Sequence, residues 1–243
     1  MALVTGSSTG LGKAIAFALG QAGARVAFNY CHNRERAERT FEAFRGQGHD
    51  GILVQADVTD VAEITRLLTA IRERLGAVDI LVPNATCEQP HKPLEDYDWA
   101  FCQTMLDYFV KSPFLLAQGC VPAMKQRRWG RLINIGSEVF HLGVPHFSPY
   151  VAAKGGQIGL TRSLATELAP FGITANTVSP GWIPVERHAH DPQEEKDAYR
   201  ARIPAGRWGL PDDVGAVVTF LASDAAAFVT GQNLGVDGGM TVG

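Results

Sequence analysis

Two rhythms of apolar and polar positions alternate along this chain. Short apolar runs at residues 2–5, 25–30, 51–55, 78–82, 131–135, 174–179 and 232–236 read as strands. Between them lie segments with helical spacing. Residues 14–19 follow the first strand, and a charged helix covers about 33–45. In 61–75, Val61, Ile64, Leu67, Leu68, Ile71 and Leu75 form one apolar stripe. A long helical stretch spans 94–126, with an interruption expected near Ser112-Pro113. An alanine-rich helix carries Tyr150, and another runs from Pro211 to about Ala222. Continuous apolar strands separated by amphipathic helices predict an α/β, doubly wound, mostly parallel seven-stranded sheet flanked by helices on both faces. No linker, internal repeat or low-complexity stretch divides the chain, so residues 1–243 are expected to form one domain. Residues 182–207 break the alternation with Trp182, His188, His190, prolines and mixed charge. They read as a substrate lid.

Composition narrows the picture. With 243 residues and 46% hydrophobic content, the chain can bury a substantial core without metals or disulfides. Its 22 basic against 25 acidic residues give a net charge of −3, which offers no general attraction to nucleic acid or an anionic membrane. Cys31, Cys87, Cys102 and Cys120 lack a metal-binding or redox spacing, so no metal is expected. Four scattered cysteines and the lack of a secretory or membrane-length apolar stretch point to the cytoplasm.

The ends of the strands carry the candidate chemistry. Between the first strand and helix, Gly6, Gly10 and Gly12 have GxxxGxG spacing. Such a turn lets backbone approach a ligand and aims helix-start amides at an anion. It lacks the ending of a nucleoside-triphosphate loop, which argues against ATPase or GTPase chemistry. Asp57, Asn84 and Ser137 fall at the ends of later strands, where ligands of a parallel sheet collect. Tyr150 and Lys154 are four apart on one helix face. An ammonium beside a phenol favours phenolate and draws an acid of pKa about 10 toward neutral pH. After the second strand, Tyr30, Cys31, His32, Asn33 and Arg34 contain no carboxylate before Glu35. A carboxylate there would hold the ribose diol of NAD; its absence, with His32, Asn33 and Arg34 near a helix start, favours NADP(H) over NAD(H).

Taken together, Thr5 to Gly12, Asp57-Val58, Asn84-Ala85, Ser137 with Tyr150 and Lys154, Ser179-Pro180-Gly181 and Val236-Asp237-Gly238-Gly239 resemble the short-chain dehydrogenase/reductase family. Within it, they resemble the 3-oxoacyl-carrier-protein-reductase-like group, over essentially the whole chain. The resemblance implies a Rossmann-type domain that transfers hydride between a nicotinamide cofactor and a carbonyl/alcohol pair. It implies catalytic roles for Tyr150 as acid or base, Lys154 as ribose holder and phenolate stabiliser, and Ser137 as partner of the substrate oxygen. Gly6, Ser8, Thr9, Gly10, Leu11 and Gly12 would embrace the pyrophosphate. Asp57 and Val58 would border adenine, Asn84 and Ala85 the adenosine ribose, and Pro180, Gly181 and Ile183 the nicotinamide. The substrate would be a small-molecule carbonyl or alcohol, free or carrier-linked. A homotetramer or homodimer would form through helices 94–126 and 150–169 and the last strand, using Phe101, Leu106, Phe114, Leu115, Leu116, Ile158 and Leu164.

Three positions depart from the pattern. Pro83 and Thr86 flank Asn84-Ala85 where the family usually has asparagine and glycine. Thr9 replaces a frequent basic residue. Phe109 occupies the position of a fourth catalytic residue, an asparagine that supports a proton-relay water. A phenyl ring cannot hold that water, which leaves a non-catalytic nucleotide-binding scaffold as the competing reading. A local bulge bringing Asp107 or Gln103 inward would instead restore a polar relay.

Overall fold

A computed structural model describes residues 1–242. Its seven strands form one sheet in the order β3-β2-β1-β4-β5-β6-β7. They are β1 (Ala2–Val4), β2 (Val26–Tyr30), β3 (Gly51–Gln55), β4 (Ile80–Val82), β5 (Gly130–Ile135), β6 (Ile173–Pro180) and β7 (Asn233–Val236). Every pairing is parallel, where a mostly parallel sheet was expected. The helices are α1 (Gly10–Gln21), α2 (Arg34–Gly46), α3 (Val61–Leu75), α4 (Trp99–Leu106), α5 (Ser112–Arg127), α6 (Val139–Leu142), α7 (Ser148–Leu168), α8 (Gln193–Arg202) and α9 (Pro211–Ala222).

Period-two alternation sends neighbouring strand residues into different cores. Leu3 joins the layer made with Ile64, Leu67 and Ile71 of α3, Leu116 and Met124 of α5, and Leu168 of α7. Ala2 and Val4 join the opposite layer, with Ile15 and Leu19 of α1, Phe44 of α2, and Val214 and Val218 of α9. Local signals set the helix ends. The Asp60 side chain accepts from the Glu63 amide at the start of α3, and Gly76 at φ 87° ends it. Among the described residues, no helix is long and apolar enough to cross a membrane.

The interruption expected near Ser112-Pro113 lies just before it. Residues Asp107–Lys111 form a π-helical turn between α4 and α5, and Pro113 sits in the first turn of α5. A π turn inserts one extra residue and rotates the helix beyond it. Chain direction around the sheet reverses between β1 and β4, which opens a crevice at their carboxyl ends.

Candidate active site

At the crevice, buried Thr5 and half-buried Asn84 tie the glycine turn to the end of β4. The Asn84 and Ala85 amides donate to Thr5 Oγ1 at 2.9 and 3.0 Å, and Asn84 Nδ2 donates to the Thr5 carbonyl at 2.9 Å. Asn29, at the end of β2, accepts from the Gly6 amide at 3.2 Å and donates to the Ala56 carbonyl at 2.9 Å. Thr40 Oγ1 donates to the Ser8 carbonyl at 2.9 Å. A Cβ on Gly12 would lie 2.4 Å from both Asn84 Nδ2 and the Gly6 carbonyl oxygen, so only glycine lets α1 start this close.

Glu186 occupies the helix start: its Oε2 accepts from the Gly10 amide at 3.0 Å. Burial pushes this carboxyl up, but its own backbone amide, Thr9, Gly10 and the Lys13 charge outweigh burial and hold it below its usual range. An internal carboxylate on the Gly10 amide is a stand-in anion. Together with the tight glycine turn, it indicates that Gly6, Ser8, Thr9, Gly10, Leu11 and Gly12 fit a pyrophosphate.

The adenine-side candidates lie at neighbouring strand ends. Tyr30 is buried and His32 exposed. Asn33 caps α2 by accepting from the Arg36 amide at 2.9 Å. Arg34 Nε donates to Glu38 at 2.7 Å, so its guanidinium is engaged along its own helix. Asp57 Oδ1 accepts from the Thr59 amide and hydroxyl at 2.8 and 2.7 Å, and Val58 is buried. On the other side, the Gly181 amide donates to the Val236 carbonyl at 3.1 Å, at the Pro180 end of β6. Ile183 is buried in the core layer beneath α1 and α9.

Ser137 leaves the end of β5, and Tyr150 and Lys154 come from the first turns of α7. Tyr150 and Lys154 are both buried. Lys154 Nζ donates to the Ile135 carbonyl at 2.7 Å and to Gln157 Oε1 at 3.3 Å, and lies 5.6 Å from the Tyr150 ring centre. Phe109 sits directly at this position. Its ring centre is 4.0 Å from Lys154 Nζ and 5.2 Å from that of Tyr150. The bulge exists, but it brings Phe109 inward. Asp107 pairs with Lys111 at 3.7 Å, and Gln103 Nε2 donates to Asp107 at 3.1 Å on the exposed side. No polar relay from these two residues replaces the ring.

Burial raises the Tyr150 phenol; the Ser137 hydroxyl and Arg187 pull against it without prevailing, while Cys87 adds to the rise. Burial likewise pushes Lys154 down to about 7, assisted by Arg187 and opposed by Cys87. Burial of both groups opposes the pull of the ammonium on the phenol that the four-residue spacing suggested.

Glu138, Tyr199, Gln157, Asn29 and Glu186 were not among the candidates. Gln157, three residues past Lys154 on its helix, and Asn29, polar within an apolar strand, carried a local signal. Glu138 and Tyr199 meet only through the fold.

A family description, enoyl-(acyl carrier protein) reductase, matches residues 6–241. The 3-oxoacyl-[acyl-carrier-protein] reductase FabG of Staphylococcus aureus is 38% identical over 241 residues, covering 98% of this chain and 97% of the relative. That of Escherichia coli is 38% identical over 242 residues, covering 99% and 96%. A crystal structure of a candidate gluconate dehydrogenase from Agrobacterium tumefaciens superposes with a TM-score of 0.94 at 39% identity, covering 99% of this chain and 95% of that one. The chain belongs to the short-chain dehydrogenase/reductase family, in its 3-oxoacyl-carrier-protein-reductase-like group.

Proposed function

We propose that this oxidoreductase works in the reducing direction on a small-molecule carbonyl, free or carrier-linked, with NADP(H) preferred over NAD(H). The observation that carries the reading is the meeting of Ser137, Tyr150 and Lys154, in a fold whose glycine turn already holds a carboxylate on the Gly10 amide. The cofactor, when bound, supplies the hydride. Ser137 holds the substrate oxygen and Tyr150 gives it a proton. Lys154, anchored by the Ile135 carbonyl and Gln157, binds the nicotinamide ribose and carries positive charge near the phenol. Phe109, Phe147 and Met105 pack with Tyr150 in one buried apolar cluster. Such surroundings strengthen hydrogen bonds to the reacting oxygen. The scaffold reading, which rested on Phe109 at the relay position, is not favoured, because the relatives are named as reductases and dehydrogenases.

Support for NADP(H) is the lack of any carboxylate at the end of β2, where His32 is exposed beside the N-terminus of α2. Support for a carrier-linked substrate comes from the named reductase relatives. The chain itself offers Arg128, and Lys125 stands 4.6 Å over the Phe171 ring. Residues 182–207 act as the lid, in a cytoplasmic homodimer or homotetramer. The test is oxidation of NADPH and NADH by purified protein with 3-oxoacyl thioesters and a panel of free ketones. Turnover on at least one carbonyl with higher kcat/KM for NADPH is expected. No turnover on any carbonyl, or a clear NADH preference, sinks the corresponding part.

A further inference from the structure

Glu138, next to Ser137, is buried among the loops that end β5 and β6, yet nothing in the reaction above uses it. Its backbone is fixed on both sides. The amide donates to the Pro180 carbonyl at 3.0 Å, and the carbonyl accepts from the His141 and Leu142 amides at 2.9 and 3.0 Å. The side chain therefore points in one direction, toward the lid. There Glu138 Oε1 accepts from the Tyr199 hydroxyl of α8 at 2.5 Å, and that same hydroxyl accepts from the Trp182 amide at 2.8 Å. One phenolic oxygen thus joins α8 to both loops.

The surroundings are built for this contact. A Cβ on Gly181 would lie 2.8 Å from the Tyr199 hydroxyl oxygen, so a side chain there would push the hydroxyl away. The Tyr199 ring stacks on Trp208 at 5.6 Å and 9°, and meets Trp182 edge-on at 5.3 Å. No residue of α8 is fully buried, and the sequence of the helix is otherwise charged and polar apart from alanines. Tyr199 is its main attachment. Burial pushes the Glu138 carboxyl up, with the Tyr199 hydrogen bond opposing. A residue kept only for packing would not need a carboxylate there.

We propose that Glu138 and Tyr199 form a positioning pair for the reaction: the docking of α8 and the placement of Ser137 are one event, joined through the Tyr199 hydroxyl. The proposal rests on the reading of Ser137 as holder of the substrate oxygen. A lid so fastened completes the site only when closed, because the residue behind Ser137 takes its side-chain hydrogen bond from the lid itself.

The test combines Tyr199→Phe, which keeps the ring stack, with Glu138→Leu, which removes the acceptor, and with the double variant. Glu138→Gln keeps an acceptor and serves as the rescue, also covering the case in which Glu138→Leu does not fold. Amide hydrogen exchange reads residues 137–142 and 193–202 without turnover. Steady-state kinetics use acetoacetyl-N-acetylcysteamine with NADPH, and nucleotide fluorescence gives the NADPH Kd. A hydrogen bond to a charged group corresponds to about tenfold or more. Tyr199→Phe should raise exchange about tenfold in both segments and lower kcat about tenfold, with the Kd unchanged within about twofold. The double variant should be no worse than the more severe single one, and Glu138→Gln should restore most of the loss. Faster exchange in 193–202 alone, with 137–142 and kcat unchanged, would mean that the pair only holds the lid, and the proposal fails. Additive effects also overturn it. A wild-type protein inert toward the thioester would count against the proposed substrate, while exchange in 137–142 would still decide the pairing.

Discussion

At the scale of single residues, the site is governed by what burial does to charge. Lys154 is surrounded by the Phe109 ring, a carbonyl and an amide, and its pKa near 7 is the cost of that enclosure. Because the folded value lies below the ordinary one, the ammonium discharges as pH rises through about 7. Charge on Lys154 favours proton transfer by Tyr150, so kcat/KM should fall on that side. Phe109→Asn replaces the ring by an amide and admits water, which lowers the desolvation cost. Its falling limb should move to higher pH, by about one unit, in a pH profile of kcat/KM. An unmoved limb would show that Phe109 does not set the charge of Lys154. Tyr150→Phe removes the transferable proton but keeps the ring against Phe109 and Phe147. Single-turnover hydride transfer should drop about 100- to 10,000-fold with cofactor binding retained, and wild-type turnover would remove Tyr150 from the mechanism. Glu186 gives a prediction of opposite sign. Its carboxylate competes for the Gly10 amide at the start of α1, so Glu186→Gln should tighten NADPH binding about two- to fivefold by fluorescence titration. Weaker binding would show that the carboxylate helps the cofactor. Tyr150, Lys154 and Phe109 were legible because helix spacing and family motif place them. The raised phenol was not, since burial by residues distant in sequence outweighs the neighbouring charge.

At the scale of elements, periodicity carried almost everything that faces the two cores. The helices at 61–75 and 211–222 match their expected bounds, because apolar stripes and capping residues coincide there. The π turn at Asp107–Lys111 left no such mark, since its one extra residue is a matter of backbone geometry rather than residue type. It nevertheless decides which side chain meets Lys154. The short helix α6 and the lid's 3-10 turn at Glu186–His188 are likewise held by contacts between loops, such as Glu138 with Pro180 and Glu186 with Gly10. Close approach of α1 to β4 is a testable element-level property. Gly12→Ala would drive a methyl group into the Gly6 carbonyl, a backbone atom that cannot swing aside. Stability should fall by about 1–3 kcal/mol in urea denaturation, and cofactor affinity should fall with it. An unchanged midpoint would mean that the glycine is not needed for packing.

At the scale of the whole molecule, the expected surplus of apolar residues on the long helices divides in two once the fold is known. Leu116 and Ile158 are buried within the chain, and Leu115 and Leu164 pack partly against its core. Leu116 and Ile158 therefore cannot serve as free surface in the way the sequence suggested, because helical stripes do not reveal which face meets the sheet. Phe114 remains exposed at 47%, and Val61 at 55%, beside a groove of about 630 Å³ between α3 and α5 that Leu68, Leu115 and Pro122 help to line. A second exposed set lies elsewhere, with Phe220 at 43% on α9 and Phe228 at 103% ahead of β7. Two separate apolar patches are what a tetramer with crossed two-fold axes requires, since each axis needs its own self-complementary surface. Light scattering over a dilution series should therefore show a dimer or tetramer at micromolar concentration. Phe114→Asp and Phe228→Asp alter exposed side chains and should change monomer stability by no more than about 0.5 kcal/mol. If the protein is a tetramer, each should reduce it to a dimer, and the two together should give a monomer, because either patch alone still closes one two-fold contact. A wild-type protein that stays monomeric at these concentrations would assign the exposed phenylalanines some other role and refute the assembly.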